Sequence, residues 1–166
     1  MKLQEKKYRV DSFSTVLNLL NQKGAKKIKD IVSTHYYGVH QGNDVEKLVE
    51  YPDRWEIHVF KETGGKFVNG EQVLVANKAA GLAWLKAKGY EKVNIIKMNY
   101  SEYGYKNGVI GLYIINDFLN SIILTYLPNQ HKSMEKEFYL ENTEIISKPY
   151  NKYLEKLNRV ESVPLT

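Results

Sequence analysis

Hydrophobic and polar residues alternate along several stretches of the chain, in the period-two pattern typical of β-strands. The clearest case lies in segment 92–105, where Ile96 and Met98 alternate with Lys97 and Asn99. Neighbouring side chains in a strand point to opposite faces, so this pattern predicts a strand with one apolar and one polar face. Composition and turn signals extend the prediction to eight strands. These are residues 5–10, 26–37, 45–51, 55–61, 67–75, 92–105, 109–115 and 121–127.

Other stretches repeat their apolar residues at helical spacing and end in helix-stopping residues. The first helix follows a residue that can cap it, Asp11 or Ser12, and ends at Gly24. The second runs from Asn77 to Gly89. Two later helices are predicted over residues 131–140 and from Pro149 onward.

The order of these elements indicates the fold class. Each half of the chain contains a strand, a helix and then antiparallel strands, with hairpin turns predicted at Gly64-Gly65 and Asn107-Gly108. Two such βαββ-type halves can close into an antiparallel barrel with the helices outside, which leaves no exposed sheet edge. We therefore predict an α+β protein with a closed or nearly closed eight-stranded β-barrel. No long linker divides the chain, so residues 1–166 are expected to form a single domain.

Composition and charge narrow the functional classes. The chain has no cysteine, which excludes a disulfide framework and a thiolate zinc site. It has no apolar run of membrane-spanning length and no apolar signal-peptide core at its start, so we expect a cytoplasmic protein with no membrane partner. The net charge of +5 comes mainly from lysine, with only three arginines, and this disfavours nucleic acid as a partner. The oligomeric state is not indicated.

Charged side chains on predicted strands supply the candidate chemistry. Glu5, Lys7 and Arg9 share one strand face, where a carboxylate can coordinate Mg²⁺ and cations can hold phosphate oxygens. The alternative is an exposed strand whose charges neutralise each other. His35 and His58 show no metal-ligand spacing and are interpreted as surface residues of strands.

The element order and several short motifs resemble the triphosphate tunnel (CYTH) superfamily, which includes class IV adenylyl cyclases and thiamine triphosphatase. The run from Leu3 to Lys7 is similar to the Glu-x-Glu-x-Lys hallmark of the first strand in that superfamily, with Glu5 and Lys7 at the second Glu and the Lys. Lys61 matches a phosphate-facing lysine, Glu71 a later strand glutamate and Lys97 a lysine on a basic strand.

The resemblance implies a barrel tunnel lined by charged side chains, with a role for each matched residue. Glu5 and Lys7 would be catalytic, and Glu5 with Glu71 would hold Mg²⁺ or Mn²⁺. Phosphate groups would bind to Lys7, Lys61 and Lys97, and also to Arg9, which shares the strand face of Lys7. An active enzyme of this kind would be a metal-dependent triphosphatase or an adenylyl cyclase-like enzyme. On the register that the resemblance implies, Lys61 shares its face with two apolar residues, and a shift of one residue would exchange the two faces.

Three departures from the superfamily pattern bear on activity. Leu3 replaces the first glutamate, Lys47 is the only basic residue where an arginine pair is expected, and residues 124–126 replace paired glutamates. The expected function is therefore binding of a small phosphorylated anionic ligand, a nucleotide or a triphosphate, with or without metal-dependent hydrolysis. A catalytically degenerate protein-interaction scaffold is the alternative. A weaker alternative is a nucleic-acid-binding domain that uses surface lysine and tyrosine.

Overall fold

The computed structural model describes residues 2–166, and Met1, the first residue of the predicted domain, lies outside them. The described residues form ten strands, four α-helices and a short 3-10 helix at Pro128–Gln130. The strands are β1 (Gln4–Arg9), β2 (Lys26–Gly38), β3 (Val45–Glu50), β4 (Trp55–Thr63), β5 (Lys66–Val75), β6 (Lys92–Tyr105), β7 (Gly108–Ile115), β8 (Leu119–Tyr126), β9 (Ile145–Ile146) and β10 (Glu161–Pro164). The helices are α1 (Ser14–Gln22), α2 (Lys78–Ala87), α3 (His131–Glu137) and α4 (Tyr150–Lys156).

Eight of the strands close into an antiparallel barrel, which confirms the predicted fold class. Their order around the barrel is β6, β2, β3, β4, β5, β1, β8 and β7, and pairing of β7 with β6 closes the ring. Closure satisfies the backbone hydrogen-bonding groups that an open sheet would leave at its edges. The two short strands β9 and β10 were not predicted, and they pair with residues 7–8 of β1 and residues 92–95 of β6.

Helices cover the outer face of the barrel, as the element order predicts. Helices α1 and α3 contribute Val16, Leu20, Met134 and Phe138 to a cluster with outward-facing residues of β1, β7 and β8. Helix α2 contributes Leu85 to a second outer cluster over β2, β3 and β4. These apolar side chains leave water together, which fixes the outward face of each strand and thereby the opposite, inward face.

Helix α4 packs against the barrel interior rather than against its outer wall. Tyr150 and Leu154 are buried in one cluster with inward-facing residues such as Ile96, Met98 and Ile123. The Tyr150 hydroxyl lies 2.7 Å from the Ser121 hydroxyl on β8. The helix therefore covers one end of the barrel.

The helix ends agree only partly with the sequence predictions. The Asn77 side chain accepts a hydrogen bond from the Ala80 backbone N–H, which confirms it as the cap of α2. The predicted cap of α1 by Asp11 or Ser12 is wrong, because the N-cap position falls on Phe13. The Ser12 hydroxyl instead accepts a hydrogen bond from the Ser14 backbone N–H. Among the described helices, none is long and apolar enough to cross a membrane.

Candidate ligand-binding cavity

A cavity of about 200 Å³ lies within the barrel and is lined by both charged and aromatic side chains. The charged lining residues are Glu5, Lys7, Lys29, Lys47 and Glu102. The aromatic ones are Tyr37, Tyr51, Phe60, Phe67, Tyr100, Tyr113 and Tyr150. His35, His58, Asn69 and Gln72 add further polar groups. Charges inside a closed barrel are costly unless they are paired or bind something, so this arrangement is a functional-site candidate.

Lys7 is the most buried of the cavity lysines and lies next to α4. Its side chain is held by two aromatic rings, with Nζ 4.0 Å from the Phe67 ring centroid and 4.4 Å from that of Tyr150. Nζ also donates a hydrogen bond of 2.7 Å to the backbone carbonyl of Lys148. Burial lowers the pKa of Lys7 to about 7, against the opposing attraction of Glu5. The ammonium therefore exists close to its point of deprotonation at neutral pH.

Lys47 lies on β3 between two inward-facing neighbours. Tyr37 stands opposite it on β2 and His58 stands opposite it on β4. Nζ donates a hydrogen bond of 3.2 Å to the Tyr37 hydroxyl and lies 5.5 Å from the centroid of the Phe60 ring. Burial lowers the pKa of Lys47 to about 8, which Glu5 partly opposes. Lys7, Lys47 and Glu5 thus form the inner group of charges in the cavity.

Glu5 faces the cavity from β1, and its chemistry differs from that of the two lysines. Burial raises the pKa of its carboxyl group, and the attraction of Lys47 and Lys7 opposes this rise. The ion pairs within 4.0 Å among residues 2–166 do not include Glu5, and its carboxylate receives no hydrogen bond from these residues. Its oxygens therefore remain available as acceptors in the cavity.

The end of the cavity away from α4 is more exposed and carries a second pair of charges. Lys29 on β2 lies 3.8 Å from the Glu102 carboxylate on β6, and the Lys29 side chain is 53% exposed. The rings of Tyr100 and Tyr113 stack beside this pair with centroids 4.5 Å apart. Tyr51 lies at the same cavity and is covered by Arg54, whose guanidinium is 4.1 Å from the ring centroid. We call this region the mouth.

The interpretation of His35 and His58 as surface residues is wrong, because both are buried and line the cavity. Burial lowers the pKa of His58 to about 4, so the ring is neutral at pH 7. Its Nε2 lies 3.2 Å from the Glu56 carboxylate, which also accepts a hydrogen bond of 2.5 Å from Arg54 Nε. Burial also lowers the pKa of His35, and its Nε2 lies 2.7 Å from the Ser33 hydroxyl.

The structure brings only two of the six predicted site residues into the cavity, Glu5 and Lys7. Arg9 shares their strand face but lies beyond α4, where its NH1 group donates a hydrogen bond to the Tyr153 hydroxyl. It is therefore separated from the cavity by the helix that covers this end.

Lys61 and Lys97 point away from the cavity, so the prediction that they line it is wrong. On β4 the inward side chains are His58 and Phe60, and Lys61 is paired with Asp44 on the outside at 3.3 Å. The one-residue shift considered for this strand is thus the correct register. Lys97 is exposed because the apolar face of β6 turns inward.

Glu71 also lies outside, and a β-bulge is the reason. Phe60 pairs with Asn69 whereas Val59 pairs with Glu71, so Gly70 is an extra residue in β5. Because of this extra residue, Asn69 faces inward before the bulge and Gln72 faces inward after it. Glu71 is left exposed on the outer face. Strict alternation along β5 would have placed Glu71 inside.

The residues present do not fit the predicted Mg²⁺ or Mn²⁺ site. The two carboxylates proposed as ligands, Glu5 and Glu71, lie on opposite faces of the barrel wall. Within residues 2–166 no group of three or more His, Asp or Glu side chains is placed to hold a metal ion. The charges that act most strongly on Glu5 are those of Lys47 and Lys7, which would repel a divalent cation.

Lys47 is the main site residue that the sequence prediction missed. It lies in the strand predicted over residues 45–51, and it was the only basic residue where the resemblance expects an arginine pair. The sequence did not show that the Lys47 side chain points into the barrel. That direction follows from Leu48, which is buried on the outer face beneath α2.

Comparison with known proteins supports the fold. No protein-family model matches the chain, and no curated protein matches its sequence. A solved structure of a Pyrococcus horikoshii protein is similar with a TM-score of 0.77 and 15% sequence identity, covering 92% of this chain and 98% of that one. A putative adenylate cyclase from Vibrio parahaemolyticus has a TM-score of 0.67 at 15% identity, with coverage of 93% and 98%.

A second putative adenylate cyclase, from Bacillus halodurans, is similar with a TM-score of 0.59 and 13% identity, covering 82% of this chain and 89% of that one. Identities this low establish a shared fold and leave the chemistry to be argued from the site. The closed eight-stranded barrel and these likenesses together confirm the predicted fold.

Proposed function

We propose that the barrel binds a phosphorylated anionic ligand, with phosphate oxygens held by Lys7 and Lys47. The observation that carries this proposal is the burial of two lysines inside one closed barrel, both lining a cavity. Each ammonium loses most of its hydration there, and one nearby carboxylate cannot neutralise both. An anion that binds between them supplies the missing charge and forms charge-assisted hydrogen bonds.

The size of the cavity limits what can enter completely. Pockets for drug-sized ligands typically hold about 300–1,000 Å³, whereas this cavity is about 200 Å³. The phosphate groups of a nucleotide or a triphosphate are therefore the part that binds inside. A nucleobase would lie at the mouth, where the stacked rings of Tyr100 and Tyr113 and the ring of Tyr51 offer aromatic surface.

The similar structures add support of a different kind. Two of them carry the name putative adenylate cyclase, which refers to an activity on a nucleotide. This chain shares their fold and has cationic side chains in the barrel interior. The names of the two similar structures and the buried lysines of this barrel both support a phosphorylated ligand.

Calorimetric titration with inorganic triphosphate and with ATP tests the proposal. Lys47→Met removes an inner ammonium while it keeps the length of the side chain, and it should weaken binding by about tenfold or more, equivalent to at least 1.4 kcal/mol. Lys97→Met removes the same charge from the outer surface and is the matched control, with unchanged affinity expected. Equal losses in the two variants would show diffuse charge attraction. The proposal ends if neither of these ligands nor a small phosphate monoester binds.

The same samples separate binding from catalysis. Phosphate release is measured with Mg²⁺ or Mn²⁺ present, and turnover that Glu5→Gln abolishes would make the protein a metal-dependent triphosphatase. Binding without turnover would assign it the role of a binding protein. If the protein shows no binding and no turnover, the result would favour the protein-interaction scaffold.

A further inference from the structure

The cavity contains an acceptor that a plain phosphate ligand does not use. Glu5 lines the same cavity as Lys7 and Lys47, although a carboxylate repels phosphate oxygens. Both lysines direct a hydrogen bond elsewhere, Lys7 to the Lys148 carbonyl and Lys47 to the Tyr37 hydroxyl. The Glu5 carboxylate therefore offers acceptor oxygens in the cavity that no hydrogen bond from the described chain occupies.

The resemblance suggests a metal ion as the partner of Glu5, but the geometry disfavours this. The second predicted carboxylate, Glu71, lies on the outer surface, and only one carboxylate remains close to the two buried lysines. Mg²⁺ can be held by one carboxylate together with substrate phosphates, but the charges of Lys47 and Lys7 that act on Glu5 would repel a divalent cation here. A ligand's own hydrogen-bond donor needs only one carboxylate, and Glu5 can satisfy it alone.

Charge balance indicates what that donor is. With both lysines protonated, the inner cavity of Lys7, Lys47 and Glu5 has a net charge of one positive unit. A phosphate monoester carries about −1.5 to −2 at pH 7, and an ammonium on the same ligand reduces this to about −0.5 to −1 in total. An inorganic triphosphate carries more negative charge than these three groups offset, so the aminated monoester matches the inner charge more closely.

We propose that the cavity selects a compact phosphate monoester that also carries a primary amine, with the phosphate on Lys7 and Lys47 and the ammonium on Glu5. This inference rests on the proposed function and refines the class of its ligand. Glu5 is then a specificity-determining residue, because it accepts a charge-assisted hydrogen bond from the ligand. The cavity volume of about 200 Å³ suits such a small molecule.

Two ligands that differ only in the amine test this directly: 2-aminoethyl phosphate and ethyl phosphate, each titrated by calorimetry in metal-free buffer. Wild-type protein should bind the aminated ligand at least about tenfold more tightly, a difference of 1.4 kcal/mol. Glu5→Gln should weaken the aminated ligand and strengthen ethyl phosphate, because it removes an attraction from one and a repulsion from the other. Glu71→Gln, which changes an exposed glutamate in the same way, should leave both affinities unchanged.

The outcomes separate this inference from the proposed function. If inorganic triphosphate binds but the wild-type protein does not prefer the amine, the inference is wrong and the proposed function stands. If no phosphorylated ligand binds, both are wrong. Binding of ethyl phosphate that requires Mg²⁺ and is lost in Glu5→Gln would assign Glu5 to a metal and overturn the inference. The comparison of ligands on wild-type protein keeps the test decisive even if Glu5→Gln does not fold.

Discussion

Replacement of Lys7 by methionine should make the ligand-free protein more stable while it removes binding. Lys7 is 4% exposed, and burial lowers its pKa from 10.5 to about 7. Methionine has similar length and no charge, so it can occupy the space between Phe67 and Tyr150 without the cost of desolvation. A residue that costs stability and is needed for binding is typical of a functional site.

The size of the stability gain in Lys7→Met follows from the pKa of Lys7 and from the contacts that the variant loses. One pKa unit corresponds to about 1.4 kcal/mol, so the lowered pKa of Lys7 represents a cost of roughly 5 kcal/mol at most. The variant loses a hydrogen bond from a charged donor to the Lys148 carbonyl, worth about 1.5–3 kcal/mol. It also loses cation–π contacts worth about 0.5–2 kcal/mol. The expected net gain in the free energy of unfolding is therefore up to about 3 kcal/mol at pH 7.

The pH dependence of the free energy of unfolding tests the role of Lys7 more sharply than the stability at one pH. Because the folded-state pKa of Lys7 lies below its unfolded value, the unfolded chain binds more protons between pH 7 and 10.5, and the stability of the wild type rises with pH across this window. The variant lacks this contribution, so its advantage should shrink by up to about 1.4 kcal/mol for each pH unit.

Urea unfolding at pH 7, 8 and 9 measures both effects, with Lys97→Met as the control for loss of an exposed charge. The control should stay within about 0.5 kcal/mol of the wild type. A Lys7→Met variant that is less stable at pH 7, by an amount that does not change with pH, would refute the reasoning. It would show that the ammonium is fully compensated in the folded protein.

Three further predictions concern other parts of the barrel. Burial lowers the pKa of His58 to about 4, below its ordinary 6.5, so the free energy of unfolding of the wild type should fall by roughly 2 kcal/mol from pH 6.5 to 5. The His58→Phe variant should lose less stability over this range in urea unfolding, and an equal loss would contradict the prediction. A Cβ at Gly81 would lie 2.3 Å from Leu48 Cδ1, so Gly81→Ala should cost about 1–3 kcal/mol, and a melting temperature that is unchanged or higher would contradict this. A Cβ at Gly111 would lie 2.4 Å from the ring of Tyr113, which lines the cavity, so Gly111→Ala should displace this ring. Triphosphate binding measured by calorimetry should then weaken about tenfold. Unchanged affinity would show that Tyr113 does not shape the cavity.

The fold was predictable from sequence because strands and helices leave local signals. The eight barrel strands were each predicted close to their observed bounds, and the order of elements indicated closure. The two strands that were missed, Ile145–Ile146 and Glu161–Pro164, have only two and four residues. Segments this short contain too few residues for alternation to be recognised.

The inward faces of the strands were less predictable, and most of the site depends on them. A strand with alternating residues has two faces, and its sequence does not say which one the helices cover. For β6 the polar face proved to be the outer one, which removed Lys97 from the cavity. The bulge at Gly70 reversed the faces within β5 and removed Glu71. Such a bulge depends on the pairing of two strands, which neither strand shows alone.

The most direct test of the account is a crystal structure of the protein with inorganic triphosphate or 2-aminoethyl phosphate bound. The account predicts phosphate density inside the barrel, with oxygens within hydrogen-bonding distance of Nζ of Lys7 and of Lys47. For the aminated ligand, the nitrogen should lie within the same distance of the Glu5 carboxylate. An empty barrel with the anion on the outer wall, beside Lys61 or Lys97, would contradict the claim that the interior is the binding site.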